Sequence, residues 1–164
     1  LVSNIVLEQG SQNYQQVDVL LPKGSARVSY FYERQNKVYS LNNADNLTNG
    51  DKVGVNIVAS KDSIAYWGIV NQKNELLISS KDLLASKIDL KAGQQNTFAG
   101  SFTLTAPNEG EHLIVIVCEK QAPKREIESN VLDEAFVGKT LEQNQIMAED
   151  CMYVGRRLRT LEAQ

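Results

Sequence analysis

The sequence has a single histidine and only two cysteines. A structural zinc site takes four nitrogen or sulfur ligands, so these three cannot fill one without carboxylates. They fall in no Cys-x-x-Cys, His-x-x-x-His or His-Glu-x-x-His pattern, and no metal is expected. Glycine-rich phosphate loops of the P-loop and Rossmann kind are missing, as is a Gly-x-Ser-x-Gly elbow. No cofactor is expected either. No apolar run approaches the ~18–20 residues that cross a bilayer as a helix. The longest, around Leu113 to Cys118, is strand-sized. A basic leader followed by an apolar stretch is also absent. Positive charge is not in excess: 17 basic against 20 acidic residues leave a net charge of -3. Such a surface has no electrostatic grip on a phosphate backbone, so nucleic acid is not an expected partner.

What is present is a globular composition, 42% hydrophobic and 23% charged over 164 residues. That length suits one domain with a real core. Strand-length alternation runs through most of it. Val28, Tyr30 and Tyr32 fall on one side of residues 26–33, with Arg27, Ser29 and Glu33 on the other. Phe31 interrupts the polar side, so both sides are expected to be covered. Val53, Val55, Ile57 and Ala59 make a second row. Ile64 to Val70, with Tyr66 and Trp67, makes a third. Phe98, Phe102 and Leu104 alternate with Ser101, Thr103 and Thr105. Leu113 to Cys118 is apolar on both faces, as a central strand would be. Weaker candidates are Val17–Leu21, Lys37–Leu41 and Glu75–Ser80. Arg34-Gln35-Asn36-Lys37 and Asn71-Gln72-Lys73-Asn74 read as hairpin turns between strands.

The period changes near the C-terminus. Val131, Leu132, Ala135 and Phe136 suit a helix that stops at Gly138. Thr140 and Gln143 form a capping-box pattern ahead of Ile146, Met147 and Ala148. One or two short helices are therefore expected between residues 129 and 149, then a last strand from Met152 to about Leu158. The expected fold is mostly β: an antiparallel β-sandwich, Ig-like or jelly-roll-like, with the helices inserted before the last strand. Residues 1–16 read as an arm and 17–164 as one domain. The chain begins at Leu1 and is read as a piece of a longer protein.

Candidate chemistry is sparse. His112, beside Glu109 and Glu111, is a general base on a hydrolase reading and a turn-adjacent strand residue on the plainer one. Asn42 to Asp51 invites calcium. However, Leu47 and Asn56 occupy places where an EF-hand needs ligands, so a self-bonding turn is the expectation. The basic run Arg156-Arg157-Leu158-Arg159 reads as a strand edge or as a face toward an acidic partner. Tyr30, Tyr32, Tyr66 and Trp67 are candidates for a stacking surface toward sugar or peptide, against core packing. Cys118 ends the central strand and Cys151 begins the last one. If these strands are neighbours, a bridge closes the helical excursion and stabilises the fold by ~3–4 kcal/mol through loop entropy. The alternative is two buried thiols in a reducing compartment. The bridge is the favoured reading.

Three stretches, taken in order, resemble a known family. They are Ala26-Arg27-Val28-Ser29-Tyr30-Phe31-Tyr32 with Leu47-Thr48-Asn49-Gly50-Asp51, then Ala65-Tyr66-Trp67-Gly68-Ile69-Val70, then Gly110-Glu111-His112-Leu113-Ile114-Val115. Together they resemble a bacterial domain of unknown function that follows the membrane helix of zinc-finger anti-sigma factors. The similarity covers about residues 24–120. His112 stands where that family usually has arginine. The resemblance implies a β-sandwich outside the inner membrane, tethered to it in the full-length protein, with no catalytic residues to carry over. The expected function is non-enzymatic sensing through a protein partner. A carbohydrate- or peptide-binding module of a secreted or surface protein is the alternative.

Overall fold

A computed structural model describes residues 16–41, 47–70, 87–97, 102–103, 112–120, 124–143 and 145–158. They form two antiparallel sheets and two short helices. One sheet runs β1 (Gln16–Leu20), β2 (Ser25–Arg34), β4 (Lys52–Ala59), β7 (Gln95–Thr97). In it β3 (Lys37–Ser40) also pairs with β2, and β8 (Phe102–Thr103) with β4. The other runs β10 (Gln145–Ala148), β11 (Cys151–Arg157), β9 (His112–Cys118), β5 (Ser63–Val70), β6 (Ile88–Leu90).

Period-two side-chain placement makes the sandwich. Ala26, Val28 and Tyr30 of β2 and the Val53–Ala59 row of β4 face inward. They meet Ala65 and Ile69 of β5, Leu113, Val115 and Val117 of β9, and Met152 and Val154 of β11. The second sheet is apolar on its far side as well. Tyr66, Val70, Ile114, Ile116, Cys118, Cys151 and Tyr153 there pack under Ile127 and Val131 of α1 (Lys124–Val131) and Val137 of α2 (Glu134–Gln143). The described chain thus has three layers, and β9 lies in the middle one. Its apolar run follows from burial on both faces. Gly155 lets α2 settle on β11: a Cβ there would stand 2.9 Å from the Thr140 methyl.

The helices depart from the expected positions. They occupy 124–131 and 134–143, and both precede a two-strand hairpin instead of a single last strand. Asp133 begins α2, its Oδ1 accepting the N–H groups of Ala135 and Phe136 at 3.0 and 3.3 Å. Gly138 sits inside that helix instead of ending it. Thr140 is no cap, since its hydroxyl donates to the Phe136 carbonyl at 2.9 Å. Ile146, Met147 and Ala148 form β10, opposite Tyr153, Met152 and Cys151. Their ladder to β11, a tertiary contact, overrides a local pattern that suits either state.

Cys118 and Cys151 stand opposite each other in the β9–β11 register. They form a disulfide, with Cα atoms 4.3 Å apart. That separation belongs to a closely spaced antiparallel pair. The bridge closes the excursion that holds both helices and β10. The Glu75–Ser80 candidate, Phe98, Leu104, Arg159 and residues 1–15 lie outside the described residues.

Candidate interaction surface

β2 and β3 are joined by Gln35 and Asn36, at φ 52° and 62°. Two positive values in a two-residue loop mark a type I′ hairpin, which locks register. Arg34 then stands opposite Lys37, and Tyr32 opposite Tyr39. Period two puts these four side chains on one face. The face extends the core-facing row of β2: Tyr30 is buried, Tyr32 half-buried, and the Arg34 side chain 36% exposed. On β3, Lys37 and Tyr39 are exposed, Tyr39 by 41%.

The Tyr32 and Tyr39 rings stack, with centroids 5.2 Å apart and 21° between planes. The Arg34 guanidinium carbon lies 5.1 Å from the Tyr32 centroid, a cation–π contact. Asp51 grips the same guanidinium. Arg34 Nε donates to Oδ1 at 2.8 Å and Nη2 to Oδ2 at 2.6 Å. Asp51 is only 2% exposed. It also accepts the Thr48 N–H at 2.7 Å and the Thr48 hydroxyl at 3.2 Å. Its own N–H donates to the Thr48 carbonyl at 3.1 Å, closing a turn over Gly50 at φ 93°. Leu47, just before, is buried in the inter-sheet core. So Leu-x-x-Gly-Asp here is an anchor: leucine in the core, glycine for the left-handed backbone, and a carboxylate holding Arg34.

Burial alone would raise the Asp51 pKa. The Arg34 hydrogen bonds, then the Thr48 N–H and the Arg34 charge, outweigh it and hold the group below its usual range. The sign of its pH dependence follows. A folded pKa below the unfolded one gives stability that is whole above roughly pH 4 and lost as pH falls through the folded value. Asp51→Asn is expected to lower stability by about 2 kcal/mol at neutral pH, through loss of charge-assisted bonds. Urea titrations should show that gap hold down to about pH 5 and shrink in stronger acid. A gap unchanged at pH 2 would refute the assignment.

Tyr30, Tyr66 and Trp67 do not join Tyr32 in one surface. Tyr30 is 1% exposed between the sheets, with the Arg156 guanidinium carbon 5.4 Å over its ring. Burial pushes its hydroxyl pKa well up. Tyr66 is fully buried on the opposite side of its sheet, beneath the helices. Trp67 is half-buried and packs on the inter-sheet core. Alternation separates two faces but does not say which will be covered. Tyr39, which sequence reasoning left out, takes the place beside Tyr32. The signal for it was the two-residue turn, which sets 39 opposite 32.

The basic run is not one strip either. Arg156 is buried, and Arg157 exposed on the other face of β11. His112 is half-buried, opposite Arg157 and Val70. Burial, then the Arg157 charge, holds its pKa below the usual imidazole value. Its Nδ1 is buried without a hydrogen-bond partner, so no described residue orients it as a base. Among the described residues no three His, Cys, Asp or Glu side chains gather as metal ligands. None of the described helices is long and apolar enough to cross a membrane. An open depression of about 420 Å³ on α1 is lined by Arg125, Glu128, Ser129 and the exposed Leu132. No protein-family model matches the chain, and neither a curated protein nor a solved structure does.

Proposed function

We propose that this domain is a non-catalytic interaction module working outside the cytoplasm, as part of a membrane-tethered bacterial regulator. The observation that carries the interaction is the exposed Tyr39 ring stacked on Tyr32, with Arg34 and Lys37 on the same face. Tyrosine and arginine are enriched where proteins meet. Support for the compartment comes from the Cys118–Cys151 disulfide, since such bonds persist chiefly in oxidising surroundings. The tether and the regulatory role rest on the resemblance of the strand and turn motifs to the extracytoplasmic part of anti-sigma factors.

A photo-crosslinking amino acid placed at position 39 of the full-length protein, in its native cells, tests this reading. A discrete protein adduct is expected at position 39 and none at the exposed Val58, on the opposite face of the sheet. Alkylation before lysis should find Cys118 and Cys151 unmodified. Absence of an adduct at position 39 would count against the interaction, and two alkylated thiols against the compartment.

A further inference from the structure

We infer that the β2–β3 hairpin docks an acidic protein segment, one that carries an aromatic or aliphatic side chain next to an Asp or Glu. This rests on the interaction reading above. The charge pattern points to the occupant. Arg34 and Lys37 face each other across the ladder. Like charges placed so destabilise a sheet. Asp51 neutralises Arg34, but Lys37 is exposed and has no ion-pair partner among the described residues. Uncompensated positive charge stands out on a chain of net charge -3. Arg34 Nη1 also makes no bond to a described residue, while Nε and Nη2 are held by Asp51. A carboxylate can therefore be met by Lys37 Nζ and by a guanidinium that is already aimed.

The aromatic half asks for an apolar neighbour to that carboxylate. Tyr39 offers a ring 41% exposed. Tyr32 is engaged by Tyr39 and by Arg34, so one ring remains for stacking. A single ring beside Lys37 and the Asp51-paired Arg34 suits one side chain plus one carboxylate better than an extended sugar platform. The type I′ turn, the ring stack and the Asp51 grip also order the surface before the partner arrives. That lowers the entropic cost of binding and suits a hot spot.

The test is to pan the intact domain against a random linear peptide library displayed on phage. Enrichment of Asp or Glu next to Phe, Tyr, Trp or Leu is expected. For a synthetic winner, Tyr39→Ala and Lys37→Glu should each raise Kd roughly tenfold or more. Both positions are exposed, so the fold should survive, as a melting curve will verify. Panning against the Lys37→Glu variant should shift the winners from acidic toward basic. Lys61→Glu, in the turn between β4 and β5 and beside Gly24 at the opposite end of β2 from the hairpin, should leave binding unchanged. Winners that ignore both hairpin substitutions overturn this docking site and leave the interaction reading standing. Failure of the wild-type domain to select any binder overturns both. If polygalacturonate binds through Tyr39 and Lys37 where no peptide does, the protein occupant is wrong.

Discussion

Replacing both Cys118 and Cys151 with alanine is expected to lower the unfolding free energy by about 3–4 kcal/mol. The residues are 33 apart in sequence, so the bridge removes a sizeable loop from the unfolded ensemble. For a domain of this size, the melting temperature should fall by on the order of 10 °C. The covalent link matters here because the closed segment is also the third layer. Both sulfurs lie in the cluster that Ile127, Val131 and Val137 cover. Alanine keeps that site apolar, so the loss reports the constraint and not a buried hydroxyl. Melting wild type in excess reductant should reproduce most of the effect, and reductant should not move the double variant. A double variant as stable as the wild type would mean that the bridge contributes nothing.

Phe31→Ala should be as costly, about 3–5 kcal/mol, the range for a buried aromatic truncated in a packed site. Phe31 points away from the inter-sheet core and is still only 1% exposed. Its cross-strand partner is Gly54. A Cβ on Gly54 would stand 2.5 Å from Phe31 Cζ and 2.7 Å from Cε2, so the ring lies over bare backbone. Gly54→Val must displace that ring and is expected to cost roughly 2–3 kcal/mol. The two changes should not add. With Phe31 cut to alanine, room opens for the valine, and the second change should cost far less. Urea titration of the four proteins closes the cycle. An equal cost for Gly54→Val in both backgrounds would place the ring elsewhere.

The sandwich was legible because the core-facing rows of its strands are apolar at every second position. Val53, Val55, Ile57 and Ala59 all lie in the inter-sheet core. The doubly apolar Leu113–Cys118 stretch did mark a central strand. Reading Cys118 and Cys151 as strand ends was enough to suggest neighbours, and the ladder sets them opposite. Four-residue β10 was not legible, because its pairing with β11 is a tertiary contact and its residues also suit a helix. The site was half legible. Tyr30 and Tyr32 share one row, but their burial depends on how far the opposite sheet reaches, which local pattern does not carry. Tyr66 looks like a surface ring until the helical layer covers it. Asp51 reads as a turn residue, and only the fold shows that it holds Arg34.

Amide chemical-shift mapping of the isotope-labelled domain, titrated with an acidic peptide selected on it, asks most directly where the partner sits. The largest shifts are expected at Tyr32, Arg34, Lys37 and Tyr39, and they should vanish in the Lys37→Glu variant. Shifts centred instead on α1 around Leu132, or on β5 around Trp67, would contradict the hairpin as the binding face.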